Sequence, residues 1–520
     1  MSKKELINIL YQNISEADYY TLGVAIHKTH KKKKMKIKNT FLEDIYKDRS
    51  REMVVKKSTQ SGISEYLIVR SIARARQKKN IFYVLPTFDL KNAFVKERFY
   101  KSLLYTNYYQ QLLKENETRN ADSMSMIMLG GGTIAFVGSN TEVAFISYPA
   151  DDVYIDEYDK CNQQNIAMAP ERQSASDDKY SIKIANPTFN NFGIDTEYKN
   201  SDQKKWFIKC DGCGKYIHPD FFKHVVREEA EGIYVIRDKE FDRFSGNDIK
   251  PICHKCNKPY NRKKYGIWVK QQEHIISGYQ ISKMFSSTEK LYELVDKLEK
   301  GLTNEIWLQR LYNGDLGLSF TAKGACIDTD MLNKCVRDYV LIKESKNPCI
   351  MGIDVGKVFN IVIREVLPDG RLKAVYIGEE PDIKDVYDLY TRFNVKCAVI
   401  DAMPESRLSK KFAYNFKGAF RCYYGTDKKD NINIQSKIVQ TDRTQILDSV
   451  KEAIIIQKYL LPKNAQNIKN YYRHMCASTR YFDEKRNKYI WTEGNEPDHY
   501  FHAEAYCLIA YRILSMIKGV

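Results

Sequence analysis

The sequence lacks several things that would narrow its class at once. No stretch approaches 18 uninterrupted apolar residues, so no membrane-spanning helix is expected. The opening residues, MSKKELINIL, lack an apolar secretory region with a small-residue cleavage site, and an intracellular protein is expected. There is no internal repeat of solenoid length. Negative charge is in deficit: 66 acidic residues face 83 Lys and Arg, leaving +17. Such a balance fits a polyanionic partner, nucleic acid first. Of twelve cysteines, all but four are scattered singly, as in a reducing compartment. Aromatic residues are plentiful, with 37 Tyr and 23 Phe, which argues against disorder. At 520 residues and 43% apolar, two to four domains are expected.

One missing residue is more informative. Lys56 to Glu65 reads KKSTQSGISE after the apolar run MVV, a strand followed by a loop that nearly spells a phosphate site. Gly62 and Ser64 are in place, but Ile63 stands where the usual lysine would. Three readings stay open: a damaged nucleotide site, a site whose lysine enters from elsewhere, or a polar turn. Downstream, DDVYIDEYD sets the acids Asp156 and Glu157 at the end of a short apolar strand. A carboxylate there can hold Mg²⁺ and the next can polarise attacking water. A third strand, SIKIANPT, ends in polar residues from Asn186 to Thr188, placed to face a γ-phosphate or simply to turn the chain.

The spacing of MVV, IFYVLP, TIAFVG, DVYIDE and IKIANP predicts a parallel sheet with crossover helices. The expected organisation is a helical and basic lead-in over residues 1–39 and an α/β P-loop ATPase core over 40–205. A zinc-ribbon-like insertion over 206–262, the rest of the ATPase domain with a linker over 263–345, and a nuclease unit over 346–520 complete it. The basic run HKTHKKKKMKIK, from His27 to Lys38, is either a solvated linker or an arm that meets phosphates.

Cys210, Cys213, Cys253 and Cys256 form two CxxC knuckles, suited to tetrahedral Zn²⁺ in a closed structural site. The 39 residues between Cys213 and Cys253 exceed the usual spacing, and an inserted hairpin would absorb them. His218, His224 and His254 are substitutes if one cysteine fails.

Near the C-terminus, Asp354 ends the run CIMGID, Asp401 ends VKCAVID, and Asp498 opens a helix that begins at Pro497. LPDG between two apolar runs marks a hairpin. Acids on a first strand, a later strand and a final helix make an RNase H-like arrangement, able to hold two divalent cations about 4 Å apart. His502 falls on the same helical face as Asp498, whereas Glu504 lies roughly opposite.

In order and wording, VVKKSTQSGISE, LGGGTIAFVGSNTEVAFISYPADDVYIDEYDKC and IANPT resemble the large subunit of tailed-phage terminases, in the lambda-like branch. The resemblance implies a RecA/ASCE-like motor that uses ATP with Mg²⁺ to translocate double-stranded DNA into a procapsid. It also implies a Mg²⁺- or Mn²⁺-dependent endonuclease that cuts concatemers. By it, Lys57 (or its neighbour Lys56) contacts phosphates within the loop of Ser58, Gly62, Ile63 and Ser64. Ser64 ligates Mg²⁺ with Asp156, Glu157 is the catalytic carboxylate, and Asn186 to Thr188 couple hydrolysis to movement. Asp354, Asp401 and Asp498 become nuclease ligands beside His502, with Glu504 the rival third ligand where the family has Asp-Ala. Arg443 lies in the family's pre-helix region. A small terminase subunit, a portal protein, a homo-oligomeric ring and the host cytoplasm are further implications. Arg51, Arg98 and Arg172 are candidate arginine fingers. The rivals are a helicase-nuclease, which would want a second RecA-like domain, and a zinc-bearing DNA-binding scaffold.

Overall fold

The computed structural model describes residues 19–114, 125–230, 232–286, 288–322, 324–425, 431–483, 486–494 and 496–518. It divides into two compact units, Met1–Phe320 and Thr321–Val520.

The first unit is built on a seven-stranded sheet. In chain order its strands are β1 (Glu52–Lys57), β2 (Asn80–Leu85), β3 (Met126–Leu129), β4 (Gly132–Gly138), β5 (Asp152–Asp156) and β6 (Tyr180–Ala185). The smaller strands β7 (Lys205–Lys209), β8 (Tyr216–Ile217), β9 (Val226–Ala230), β10 (Ile233–Ile236) and β11 (Gly266–Val269) follow, and β12 (Ser277–Ile281) returns to the main sheet. The order is β12-β1-β6-β5-β2-β4-β3, parallel except where β3 pairs antiparallel with β4. Every apolar run expected to be a strand is one. Such strands are buried on both faces, so they read as continuous apolar runs rather than alternating ones. SGYQI of β12 carries no such signal, yet all five of its residues are buried. It is the element the sequence conceals.

The helix Ile63–Arg76 leaves the end of β1 and is buried nearly all round, with Tyr66, Leu67, Ile68, Val69 and Ile72 at zero exposure. Each such aliphatic contributes about 1.5–3 kcal/mol by leaving water. Gly62 starts this helix at φ +86°, where a Cβ would lie 2.6 Å from the Met35 Cε, so only glycine fits both the backbone and the space.

The cysteine-bearing insertion forms a three-stranded antiparallel sheet, β11-β7-β8, with β9 and β10 paired as a hairpin. That hairpin and its flanking turns take up the long spacing between the knuckles.

The second unit begins at Thr321, ahead of Pro348 where the strand-rich part was expected. Ile327, Leu332 and Cys335 are already in its core. Its strands are β13 (Cys349–Val355), β14 (Phe359–Val366), β15 (Leu372–Glu380), β16 (Val395–Asp401) and β17 (Ala419–Gly425). They continue with β18 (Asn431–Asn433), β19 (Ile438–Asp442) and β20 (Tyr459–Leu460), and β21 (Ser478–Asp483) and β22 (Lys488–Glu493) form a separate hairpin. The main order is β18-β19-β17-β16-β13-β14-β15-β20. β13, β14 and β15 run antiparallel as a meander, and β16, β17 and β19 join parallel to β13. The strands that carry Asp354 and Asp401 are neighbours in this sheet, in keeping with the expected RNase H-like placement of acids. The final helix, His499–Lys518, crosses β13 so closely that a Cβ on Gly352 would meet the Ala503 carbonyl and the Cys507 amide. It starts two residues later than expected, with the Asp498 carbonyl accepting from the Phe501 and His502 amides. No helix among the described residues is long and apolar enough to cross a membrane.

Candidate functional sites

Side chains alternate along a strand, so adjacent lysines at the end of β1 go to opposite faces. Lys57 Nζ donates to Glu157 Oε1 at 3.1 Å and lies 3.5 Å from Asn186 Oδ1. Lys56 Nζ instead donates to Asp195 Oδ1 at 2.5 Å in a buried pair. Lys57 therefore faces the ends of β5 and β6, where the acids sit, and Lys56 faces away from them.

Asp156 is 2% exposed and accepts from the Tyr83 hydroxyl at 3.1 Å and from the Glu157 amide at 2.9 Å. Burial raises its pKa, while Lys57 and a hydrogen bond from Ser64 pull the other way. A buried acid that faces hydroxyls beside a phosphate loop fits a bound Mg²⁺, with Ser64 as the second ligand. Glu157 is the opposite case. Burial works to raise it, but Lys57 and Lys160 outweigh that and bring it down to about 2. Its backbone sits at φ +56°, a strained position for a non-glycine residue, which turns its side chain toward Lys57.

The third strand end is tied in from both sides. Asn186 Nδ2 donates to the Lys57 carbonyl at 2.9 Å. Thr188 donates to Asp159 Oδ2 through both its amide and its hydroxyl, each at 2.9 Å, and Asp159 Oδ1 accepts from the Ile194 amide at 2.6 Å. Asp159 is pushed up to about 7 by burial, against the pull of these hydrogen bonds. Residues 313–320 stitch the same elements together. The Gly314 carbonyl accepts from the Thr59 amide and hydroxyl at 2.7 and 2.9 Å. Asn313 Nδ2 donates to the Thr188 carbonyl at 2.6 Å, and Ser319 Oγ to Asp195 at 3.0 Å.

Of the candidate fingers, Arg98 pairs with Glu65 at 3.2 Å, Arg51 with Asp178 at 3.6 Å, and Arg172 donates to the Ile146 carbonyl at 2.7 Å.

The four knuckle thiols converge, every Sγ within 4.8 Å of the others and Cys210 to Cys256 at 3.8 Å. A tetrahedral ion with bonds of about 2.3 Å requires sulfurs roughly 3.8 Å apart, so the quartet fits zinc. The nearby histidines are engaged elsewhere: His218 on the Trp206 carbonyl at 2.8 Å, and His224 with His254 at 2.8 Å.

In the second unit, Asp354 is the last but one residue of β13 and Asp401 the last of its neighbour β16. Burial first, and then Asp354, raise Asp401 to about 6. Asp498 Oδ2 accepts from Ser478 Oγ at 2.6 Å and lies 3.3 Å from His502 Nε2 and 3.4 Å from an Arg443 nitrogen. Burial opposes them, but His502, Ser478 and Arg443 hold Asp498 well below the usual range. Tyr424 closes on the other nitrogen of His502 at 2.7 Å. The three acids are not packed as tightly as the cysteines, which are the one such cluster among the described residues. Ligands shared between two ions need not all touch one another. Glu504 is excluded as a ligand: it is fully buried, held by both arms of Arg364 at 2.8 and 2.6 Å and by the Tyr471 hydroxyl at 2.7 Å.

Sequence reading missed Asp159, Asn313 and His499. Asp159 had a signal, as a third acid in the same DEYD. His499, whose Nδ1 lies 2.9 Å from Asp354 Oδ2, sits beside Asp498 and could also have been found. Asn313 had none.

Residues 38–273 match the family described as phage terminase large subunit gpA, ATPase domain. Comparison with curated proteins finds no match. Among solved structures, the bacteriophage HK97 large terminase shares 9% identity over 90% of this chain and 93% of its own, with a TM-score of 0.51. A large terminase from a thermophilic bacteriophage is 14% identical over 90% and 94%, at a TM-score of 0.29. The Thermus phage P74-26 large terminase ATPase domain is 12% identical over 53% and 92%, at 0.31. The last two superpose too loosely to carry weight; the first shares the fold along nearly its whole length. The family match spans the phosphate loop, the acidic strand end and all four knuckle cysteines, so over residues 38–273 this chain is similar to the ATPase domain of phage terminase large subunits.

Proposed function

We propose that the first unit hydrolyses ATP to drive double-stranded viral DNA into a procapsid and that the second cuts that DNA. The observation that carries the ATPase reading is Lys57, 3.1 Å from Glu157 and 3.5 Å from Asn186, at the ends of three strands of one parallel sheet. Lys57 holds the β- and γ-phosphates from the start of the loop, so Ile63 is not a defect. As Lys57 turns to the phosphates, Glu157 is released to accept a proton from attacking water. Mg²⁺, held by Ser64 and Asp156, would neutralise charge on the phosphates. The amides from Gln60 to Ile63 cradle them, and Asn186 and Thr188 read the γ-position. The test is ATP hydrolysis in Lys57→Ala, which should fall to background.

For cutting, Asp354, Asp401 and Asp498 would hold two Mg²⁺ or Mn²⁺ ions, which supply an activated water and stabilise the leaving 3′-oxygen. His502 and Arg443 fix the Asp498 carboxylate. The nuclease rests on the strand order and on the placement of the acids at one end of the sheet. Zinc on Cys210, Cys213, Cys253 and Cys256 would brace the insertion without chemistry of its own. The small terminase subunit, the portal and a ring of copies in the host cytoplasm complete the reading. A helicase-nuclease is disfavoured, because the described residues between 262 and 345 supply no second parallel sheet.

A further inference from the structure

The basic run Lys28–Lys38 has no part in either site, yet it is not a loose linker. Its turn is closed by the Thr29 amide on the Lys33 carbonyl at 2.9 Å and the Lys32 amide on the Thr29 carbonyl at 2.8 Å. From Lys34 to Lys38 it alternates: Lys34, Lys36 and Lys38 are exposed, while Met35 and Ile37 pack into the core of the unit. Met35 Cε is the atom a Cβ on Gly62 would strike, so the run lies over the phosphate loop. Its histidines reach the same place. His27 Nε2 and His30 Nδ1 lie 3.0 and 3.3 Å from the two oxygens of Glu65, in the first turn of the phosphate-loop helix and next to Ser64.

Seven lysines and no acid occupy these eleven residues. Lys34 finds the Ala25 carbonyl and Lys32 the Tyr105 ring, but none of the seven meets a carboxylate among the described residues. By contrast, Lys283 and Lys297 each touch both Glu289 and Asp315. An ordered ridge of ammonium groups without carboxylate partners, backed by a hydrophobic anchor, suits a rod of regularly spaced phosphates.

We infer that Lys31, Lys32, Lys33, Lys34, Lys36 and Lys38 form a contact for the backbone of duplex DNA. Through Met35 on Gly62 and His27 and His30 on Glu65, this contact reports DNA to the phosphate loop. The inference deepens the motor reading and rests on it. None of these lysines belongs to the nucleotide site, so they can be changed without touching it.

The test is Lys31→Glu/Lys32→Glu/Lys33→Glu in the full chain. It would be probed with a short duplex of arbitrary sequence over a range of salt, and by ATP hydrolysis with and without that duplex. Each lost phosphate contact should lower the slope of log affinity against log salt by about 0.9, so the triple variant should lose roughly two to three. Its hydrolysis without DNA should stay at the wild-type rate and its stimulation by duplex should disappear, while the triple arginine variant retains both. An unchanged salt slope would overturn the contact. An unchanged stimulation with a reduced slope would overturn the link to the phosphate loop. Absence of ATP hydrolysis in the wild type would instead count against the motor reading, and the salt slope would still decide the contact.

Discussion

The two acid sites handle charge in opposite ways. At the end of β5 the protein supplies its own cations: Lys57 and Lys160 both reach Glu157 and hold it at about 2. At the ends of β13 and β16 no lysine among the described residues plays that part. Asp401 is pushed up to about 6 by burial and by Asp354, and the nearest basic partner of Asp354 is His499. The difference matches two chemistries. In the proposed roles, Glu157 would take a proton from water and is kept charged by Lys57, a lysine that could leave for an arriving phosphate. In the proposed nuclease site, Asp354 and Asp401 are left with mutual repulsion for shared divalent ions to relieve, and only Asp498 is offset by the protein's own Arg443 and His502.

If the two sites divide the chemistry in this way, the largest effects separate by unit. Asp354→Ala should abolish Mg²⁺- or Mn²⁺-dependent plasmid nicking and leave ATP hydrolysis at the wild-type rate. Nicking that persists would move the nuclease elsewhere. Lys57→Ala should lower ATP turnover by about 10²–10³-fold, the scale for losing one oriented donor at a reacting centre, with nicking intact. Lys56→Ala sharpens the contrast because it removes the neighbour with a different duty. It takes one of two lysines from the buried Asp195, which keeps Lys199 at 2.8 Å and Ser319 at 3.0 Å, and denaturant unfolding should show a loss of about 1–3 kcal/mol in the first unit. A stable Lys56→Ala protein with no ATPase would reverse the assignment of the two lysines. Cys210→Ser should release zinc, measured by metal analysis, and lower the first unit's melting temperature by several degrees; unchanged metal content would refute the quartet.

The last expected effect is on acid stability. Glu65 is held at about 2 by His27 and Arg98 against its burial, below the ordinary value of 4.5. A depressed carboxylate contributes stability above its unfolded pKa and loses it as pH falls through the folded one. The contribution, on the order of 3 kcal/mol, should therefore be full above about pH 5 and vanish by about pH 2. Glu65→Gln should flatten that part of the stability curve.

What could be read from the sequence follows from how local the cause is. Strand-loop-helix at KKSTQSGISE and strand-acid at VYIDE are local patterns, so both were legible, as were the knuckles and the LPDG hairpin. The choice between Lys56 and Lys57 was not, although strand alternation guaranteed that only one could face Glu157. It took the partner Asp195, 139 residues away, to fix which. The same holds for β12, buried through pairing with β1 and not through its own composition, and for Asn313, which meets Thr188 across 125 residues. Helical phase favoured Asp498 over Glu504 without settling the choice, and it is Arg364 that explains why an acid is tolerated at 504.

Two separable active sites on one chain should answer to different single substitutions. ATP hydrolysis and plasmid nicking, measured side by side in wild type, Glu157→Gln and Asp354→Ala, test this most directly. Glu157→Gln is expected to lose hydrolysis alone and Asp354→Ala to lose nicking alone. Both activities failing together in either variant, or neither failing in both, would contradict the separation.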